Sequence, residues 1–164
     1  MSVSLQSEQP KIIRHLENVG RTIYFMRLRE LNDWPNHLFL ASQYFGVLLI
    51  CDGRMIPNAS VFAVADRIIK QGLAYLCVWG PDCERIHDLF DEKLIEAESD
   101  PANDGSLVIT TWHDETIEEA VWYSLYLTVG VGKFESTCRS WIIVPVERAD
   151  WAAEALELAQ RLEF

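Results

Sequence analysis

The chain has 164 residues, of which 49% are hydrophobic and 24% charged, so it can bury a hydrophobic core and is not a mostly disordered chain. Its net charge of −11 at pH 7 argues against binding to the phosphate backbone of nucleic acids. Its apolar runs are shorter than the roughly 20 residues that cross a bilayer, and residues 1–10 lack the pattern of a signal peptide. We therefore expect a cytoplasmic protein without a nucleic-acid or membrane partner.

The acidic residues are concentrated in one stretch of the chain. Residues 82–119 hold 13 acidic and two basic side chains, and this local excess equals the net charge of the whole chain. Residues 1–40, with five basic and four acidic side chains, are close to neutral. An acidic stretch of this kind keeps a protein soluble, and any partner it attracts is a basic surface or a cation.

The N-terminal quarter of the chain has the weakest pattern. Residues 1–10 are polar and predict a disordered tail, which leaves residues 11–164 as a single α/β domain. Between residues 11 and 31 the apolar side chains recur with partly helical spacing, interrupted at Gly20. This spacing predicts an N-terminal helix, with room for a short strand after it.

From residue 44 onward, predicted strands and helices alternate four times. Continuous apolar runs, typical of strands covered on both faces, predict strands at 45–51, 73–79, 106–112 and 140–146. Amphipathic segments predict a helix from Pro57 to Gly72 and further helices over 82–98, 114–128 and 150–162, and residues 130–139 form a loop. Pro81 suits the first turn of its helix, and Thr116 with Glu119 forms a capping-box pattern.

This alternation predicts a mostly parallel sheet of four to five strands with helices on both faces, either Rossmann-like or flavodoxin-like, to which the N-terminal helix is added. By analogy with flavodoxin-like sheets, we assign the order 2-1-3-4 to the four predicted strands. Ligands of open parallel sheets bind at the carboxyl ends of the strands. That rule selects four segments, which are residues 52–54, 79–84, 110–115 and 147–148.

Cys83 is the strongest single candidate for chemistry. It falls in the first turn of a predicted helix, where backbone N–H groups and the helix dipole stabilise a thiolate. His87 lies on the same helix face, and His113 ends the next strand, so the three could form a Cys–His nucleophile pair or a Cys/His metal site. A half-buried structural cysteine explains the same pattern, and flanking acidic residues raise the pKa of a thiol.

A second candidate group consists of carboxylates near the strand ends. Asp52, Asp82, Asp114 and Glu115 could bind a divalent cation if adjacent strands bring them together. As an alternative, each is an ordinary turn or helix-start carboxylate. The sequence contains no Walker, dinucleotide-binding, zinc-protease or nucleophile-elbow motif, and its four cysteines form no CxxC pair.

Aromatic and small residues suggest two surfaces. Trp79 and Trp112 end consecutive predicted strands, where they could wall an apolar pocket or a partner surface, or could simply pack the end of the sheet. The last helix, residues 150–162, is rich in alanine, which allows close helix approach. That helix could form a dimer or pack on its own sheet.

Two stretches of the sequence, taken together, carry a resemblance to a known family. Residues 75–88 read Tyr-Leu-Cys-Val-Trp-Gly-Pro-Asp-Cys-Glu-Arg-Ile-His-Asp, and residues 109–115 read Ile-Thr-Thr-Trp-His-Asp-Glu, with Glu-Ala-Val-Trp at 119–122. Over roughly residues 44–127 the chain resembles a family of small uncharacterised bacterial α/β proteins. The resemblance implies no activity. It directs attention to Asp82, Cys83, Glu84, Arg85, His87, Asp88, Trp112, His113 and Asp114.

These observations predict a non-enzymatic binding or interaction module that uses the face at the carboxyl ends of the parallel strands. Its partner is another protein, a second copy of the chain or a small ligand, and no cofactor is predicted beyond the divalent cation considered above. The expected binding residues are Asp52, Trp79, Asp82, Cys83, Glu84, Arg85, His87, Trp112, His113 and Asp114. The alternative is a small hydrolase-type enzyme or metal-binding protein that uses Cys83 with His87 or His113. A nucleotide-type ligand at the strand ends rests on fold analogy alone, and the acidic residues around these segments argue against an anionic ligand.

Overall fold

The computed structural model describes residues 8–102, 104 and 106–164. The strands are β1 (Lys11–Leu16), β2 (Arg21–Phe25), β3 (Tyr44–Ile50), β4 (Leu73–Trp79), β5 (Ile109–His113) and β6 (Cys138–Pro145). The helices are α1 (Asn58–Gln71), α2 (Cys83–Glu98), α3 (Ile117–Tyr126), α4 (Phe134–Thr137) and α5 (Ala149–Arg161). No helix in this part of the chain is long and apolar enough to cross a membrane.

The six strands form one mixed sheet in the order β1-β2-β6-β3-β4-β5. Every neighbouring pair is parallel except β1 and β2, so the predicted α/β class with a mostly parallel sheet is confirmed. The predicted strand count is wrong, because β1 and β2 add two strands to the sheet. The order 2-1-3-4 is also wrong, because β6 rather than β5 lies beside β3. That pairing joins residues about 95 positions apart (Tyr44 with Cys138, Ile50 with Pro145), and apolarity along one strand does not specify its neighbours.

The predicted N-terminal helix over residues 11–31 is wrong, because this segment forms the antiparallel hairpin β1–β2. Gly20, at a φ of +63°, ends the connecting turn, and its N–H donates to the Glu17 carbonyl at 3.2 Å. β2 then pairs with β6 and buries Ile23 and Tyr24. Over so few residues the apolar spacing fits both a helical period and the alternation of a strand. Pairing with the sheet decides in favour of the strand.

Residues 1–7 of the predicted disordered tail lie outside the described residues. Gln9 is held against the loop that follows the first 3₁₀ turn, Leu31–Asp33. Its Nε2 donates to the His37 carbonyl at 2.7 Å, and its Oε1 accepts from the Phe39 N–H at 3.2 Å.

Helices cover both faces of the sheet, as predicted. One face, here called the α1/α2 face, packs β-strand side chains such as Val47 and Leu76 against α1 and α2. The α3/α5 face packs Leu48 and Ile143 against α3 and α5. The alanines of α5 are thus used at least in part against its own sheet, with Ala155 and Ala159 fully buried.

Most predicted helix ends are close to the observed ones. Gly72, at a φ of +115°, ends α1, and Thr116 with Glu119 forms the predicted capping box of α3. α2 begins at Cys83, two residues later than Pro81, because Asp82 adopts a left-handed conformation. The predicted loop over 130–139 contains the short helix α4 and the first two residues of β6.

A close contact between β3 and β6 gives a stability test. Gly46 pairs with Trp141, and a Cβ at Gly46 would lie 2.4 Å from the buried indole ring. We expect Gly46→Ala to lower the free energy of unfolding by about 1–3 kcal/mol, because the core there is already filled. Chemical denaturation of Gly46→Ala, Trp141→Phe and the double variant should give a double variant less destabilised than the sum of the two. Simple additivity would contradict the contact.

Candidate functional site

The chain leaves the neighbouring strands β3 and β6 towards opposite faces of the sheet. After β3 it passes through a 3₁₀ turn, Gly53–Met55, into α1, whereas after β6 it enters α5. α1 and α5 belong to opposite faces. This divergence is a topological switch point, which is where open α/β sheets bind ligands.

A crevice of about 750 Å³ lies at this switch point, within the range of about 300–1,000 Å³ that is common for ligand pockets. Three chain segments form it, and they follow β2, β3 and β6. Its lining residues, which define the crevice from here on, are Arg27, Arg29, Glu30, Leu31, Asn32, Asp52, Met55, Ile56, Pro57, Ser60, Val146, Glu147 and Arg148.

The first wall is an extension of β2 along the end of β6. The N–H groups of Met26 and Leu28 donate to β6 carbonyls, each at 3.0 Å, and the Glu147 N–H donates to the Leu28 carbonyl at 2.7 Å. Because side chains alternate along this extended segment, Met26 and Leu28 are buried. Arg27 and Arg29 are therefore exposed at the rim of the crevice.

The three arginines of the crevice differ in how they are held. Arg27 donates to the Glu147 carbonyl at 3.3 Å. Arg148 forms a bidentate pair with Asp150, at 2.9 and 2.6 Å, and lies over the Trp151 ring. Arg29 has no hydrogen-bond or ion-pair partner among the described residues. Arg27 and Arg29 therefore have guanidinium groups without a carboxylate partner in that part of the chain.

The second wall of the crevice is the segment 52–60, which follows β3 and begins with Asp52. The Asp52 carboxylate accepts two hydrogen bonds from the Arg54 guanidinium, at 2.9 and 2.7 Å, and one from the Arg54 N–H at 3.2 Å. Arg54 holds the pKa of the Asp52 carboxyl below its usual range, and the positive charge of Arg148 adds to this effect. Asp52 is thus an ionised group whose charge is already compensated.

Two loops at the strand ends carry a left-handed residue other than glycine. Among the described residues, Asp82 with a φ of 60° and Glu147 with a φ of 66° are the two such cases. This conformation costs roughly 1–2 kcal/mol, and it persists where the surrounding structure imposes it. Glu147 is one of the crevice residues, so part of this local strain lies at the switch point.

Arg85 fixes the second wall of the crevice against α2. Its guanidinium donates to the carbonyls of Gly53 and Ile56, the latter at 2.9 Å. It also pairs with Asp82 at 2.7 Å. Two residues that the sequence predicts as binding groups, Asp82 and Arg85, therefore position the loop that lines the crevice instead of lining it themselves.

The same loop depends on a close approach between β3 and β4. The Gly53 N–H donates to the Pro81 carbonyl at 2.8 Å. Gly80 has a φ of +128°, and a Cβ there would lie 1.9 Å from the Cys51 carbonyl oxygen. Glycine is required at Gly80 because no side chain fits beside that carbonyl.

The structure does not assemble Cys83, His87 and His113 into one site. The Cys83 thiol donates to the backbone carbonyl of His113 at 3.4 Å rather than to its ring. The His113 ring lies with Thr111 on the α3/α5 face, where it hydrogen-bonds Thr111 Oγ1 at 2.8 Å and Glu115 Oε1 at 2.7 Å. His87 contacts Thr110, whose side chain lies on the opposite face of the same strand.

The pKa values of the thiols are too high for nucleophiles at neutral pH. All four cysteines lie in the described part of the chain, and each is free and buried. Burial raises the pKa of Cys83 above its ordinary value. It raises the pKa values of Cys51 and Cys77 to about 12 and that of Cys138 to about 11. Thiols of this kind are protonated at neutral pH and are therefore weak nucleophiles.

The remaining predicted residues are also separated. Trp79 packs against Trp151 with ring centroids 5.1 Å apart. Because Trp79 pairs with His113 and Val78 with Trp112, Trp79 and Trp112 lie on opposite faces and do not wall one pocket. Among the described carboxylates, Asp52, Asp82, Asp114 and Glu115 do not form a cluster with metal-ligand spacing. Glu84 and Asp114 are exposed.

Of the predicted binding residues, Asp52 alone lines the crevice. Residues 147–148, one of the four strand-end segments selected from the sequence, line it as well. Sequence reasoning missed the segment 27–32, residues 55–57, Ser60 and Val146. The alternation of Met26, Arg27, Leu28 and Arg29 was the available signal, since it is typical of an extended segment with one polar side.

Comparisons with known proteins identify a family but no activity. A family model described as a domain of unknown function, DUF7684, matches residues 23–161. The searches of curated proteins and of solved structures gave no match to the chain. The matched range contains the whole crevice and all the predicted site residues.

Thiol reactivity tests the structural role of the cysteines. We expect Cys83 in the folded protein to alkylate at neutral pH more slowly than a free model cysteine, because burial raises its pKa. Iodoacetamide labelling followed by mass spectrometry should show slow modification of the native protein and rapid modification of four thiols in denaturant. Labelling of Cys83 faster than the model thiol would contradict this account and support a nucleophilic role for Cys83.

Proposed function

This chain belongs to the DUF7684 family, a domain of unknown function, and from its geometry we propose that it is a non-enzymatic binding module whose crevice takes a small anionic ligand. The observation that carries the proposal is the crevice of about 750 Å³ between the ends of β3 and β6. In open α/β sheets this position binds ligands in many unrelated proteins. The chemistry of the ligand follows from the side chains around the crevice.

The guanidinium groups of Arg27 and Arg29 are the reason for expecting an anionic group on the ligand. Neither guanidinium is paired with a carboxylate among the described residues, and a guanidinium binds a carboxylate or phosphate through two parallel hydrogen bonds. The N-terminus of α1 reaches the same crevice through Pro57 and Ser60. Pro57, as the N-cap, supplies no side-chain cap, so the positive end of the helix dipole adds to the attraction.

The rest of the crevice defines the other end of the ligand. Glu30 and Glu147 supply carboxylates that accept hydrogen bonds, and Met55, Ile56 and Val146 supply apolar surface. A matching ligand carries an anionic group, hydrogen-bond donors and a small apolar portion. Adenosine monophosphate has these three features, and it belongs to the nucleotide class that fold analogy alone suggests.

The net negative charge of the chain does not oppose this proposal. The acidic stretch 82–119 contributes no lining residue to the crevice. The lining itself holds three arginines (Arg27, Arg29, Arg148) and three carboxylates (Glu30, Asp52, Glu147), and Asp52 is paired with Arg54. Its formal charges therefore balance, and an anion is attracted locally by the guanidinium groups of Arg27 and Arg29 rather than repelled by the charge of the whole chain.

Ligand binding at the crevice is testable with three probes, adenosine monophosphate, pyrophosphate and glutamate. We expect at least one of them to raise the melting temperature, because a ligand that binds only the native state stabilises it. Arg29→Gln should weaken binding about tenfold or more, since it removes a charge-assisted contact worth about 1.5–3 kcal/mol. Arg139→Gln removes an exposed arginine outside the crevice and serves as the matched control.

Isothermal titration of the wild type, Arg29→Gln and Arg139→Gln gives the affinities directly. No shift in melting temperature and no heat of binding with all three probes would contradict the proposal. Equal affinities in the wild type and in Arg29→Gln would also contradict it, since the probe would then bind elsewhere.

A protein partner, or a second copy of the chain, is the second candidate. β5 is the outermost strand on its side of the sheet, and Trp112 on this strand is 41% exposed. An outer strand with an exposed tryptophan is a common feature of interaction surfaces. Self-association, bacterial origin and a cytoplasmic location remain predictions.

A further inference from the structure

A second cluster of polar groups lies away from the crevice, between α2 and β5. It consists of His87, Asp88 and Asp91 on α2 and Thr110 on β5, and it is called the His87 cluster below. One ligand atom from each of His87, Asp88 and Asp91 lies within 4.8 Å of the others. The histidine side chain is 15% exposed, so its ring is held in place by the packing of the helix on the strand.

The hydrogen bonds of the His87 cluster determine the tautomer of the ring. Asp88 Oδ1 lies 2.9 Å from His87 Nδ1. An ionised carboxylate only accepts hydrogen bonds, so Nδ1 carries the proton. In the neutral ring, Nε2 then presents a lone pair, and it faces Thr110 Oγ1 at 3.0 Å and Asp91 Oδ2 at 3.6 Å.

With a neutral imidazole, the cluster has one proton too few for the hydrogen bonds that its distances indicate. Thr110 Oγ1 makes two short contacts, at 3.0 Å to His87 Nε2 and at 2.6 Å to Asp91 Oδ1. Its hydroxyl has a single proton, which satisfies only one of these contacts. With a neutral imidazole and an ionised Asp91, the other contact brings two lone pairs together. A cation or an added proton at this point removes the repulsion.

We propose that the His87 cluster binds one divalent transition-metal ion through His87 Nε2, Asp91 and Thr110 Oγ1. Asp88 is a positioning residue, since a carboxylate on the other ring nitrogen orients ligating histidines in metal sites. Two ligands about 2.1 Å from a tetrahedral metal lie about 3.4 Å apart. The separation of 3.6 Å between Nε2 and Asp91 Oδ2 is close to this value. Thr110 Oγ1, at 3.0 Å from Nε2 and 2.6 Å from Asp91 Oδ1, must move outward to coordinate the metal.

The ligand types select the metal. An imidazole nitrogen with oxygen ligands favours Zn²⁺, Co²⁺ or Ni²⁺ over Ca²⁺ and Mg²⁺, which prefer oxygen alone. Water completes the coordination, because Asp91 is 41% and Asp88 64% exposed.

The surrounding charges favour a cation at the cluster. The cluster lies in the acidic stretch 82–119, which attracts cations. The basic side chains of this stretch are engaged elsewhere, since Lys93 pairs with Glu96 at 3.3 Å and Arg85 with Asp82 at 2.7 Å. Among the described residues, no lysine or arginine forms an ion pair with Asp88 or Asp91.

The test uses the full chain without a histidine tag. Titration with Co²⁺ should give visible absorption bands that saturate at one equivalent, and calorimetry with Zn²⁺ should give the same stoichiometry. His87→Gln should abolish both signals, and Asp88→Asn should weaken binding about tenfold or more. Asp91→Asn keeps an acceptor for the Thr110 hydroxyl and should still lose most of the affinity, because a charged ligand is gone.

His15→Gln is the matched control. His15 Nδ1 lies 3.2 Å from Thr22 Oγ1 on the hairpin, so this site repeats the histidine–threonine contact without a carboxylate ion pair among the described residues. Binding should be unchanged in this variant. Circular dichroism of each variant establishes that it is folded. The absence of Co²⁺ bands in the wild type, or equal bands in folded His87→Gln, would overturn the proposal.

Discussion

The crevice depends on one constraint, the shared hand of parallel crossover connections. The two crossovers β3–α1–β4 and β4–α2–β5 step in the same direction across the sheet, and a shared right-handed crossover places α1 and α2 on one face. The chain then returns past β3 to form β6, and this reversal places α3 on the other face, where α5, which follows β6, packs in the same core. β3 and β6 are therefore neighbours whose following segments separate, and the space between those segments is the crevice.

Local interactions set the shape of that space. Glycine at Gly80 lets the ends of β3 and β4 approach closely, and Arg85 holds the turn after β3 by its carbonyl groups. On the other side, backbone hydrogen bonds extend β2 along β6 and project Arg27 and Arg29 at the rim. Asp82 and Arg85, two of the residues that the sequence singles out around Cys83, therefore hold one wall in place, whereas the lining of the crevice comes from three separate segments.

The sequence predicts the local elements well and their arrangement poorly. Continuous apolar runs locate β3, β4 and β6, and capping signals at Gly72 and Thr116 locate helix ends, because these features depend on residues close in the chain. The position of β6 beside β3 depends on contacts between distant residues. The strand conformation of the N-terminal segment depends in the same way on the pairing of β2 with β6. Arg27, Arg29 and Arg148 could not be grouped with Asp52 without that strand order. Cys83, His87 and His113 do not form one site, because the rings of His87 and His113 lie on opposite faces of β5 and the Cys83 thiol contacts the His113 carbonyl rather than its ring.

Amide chemical-shift mapping in an ¹⁵N-labelled sample titrated with adenosine monophosphate tests the central claim most directly. If the switch-point crevice is the binding site, the perturbed amides are those of residues 27–32, 52–60 and 146–148. Perturbation confined to residues 82–87 and 112–115, at the ends of β4 and β5, would contradict this account. The absence of any perturbation with adenosine monophosphate, pyrophosphate and glutamate in turn would also contradict it.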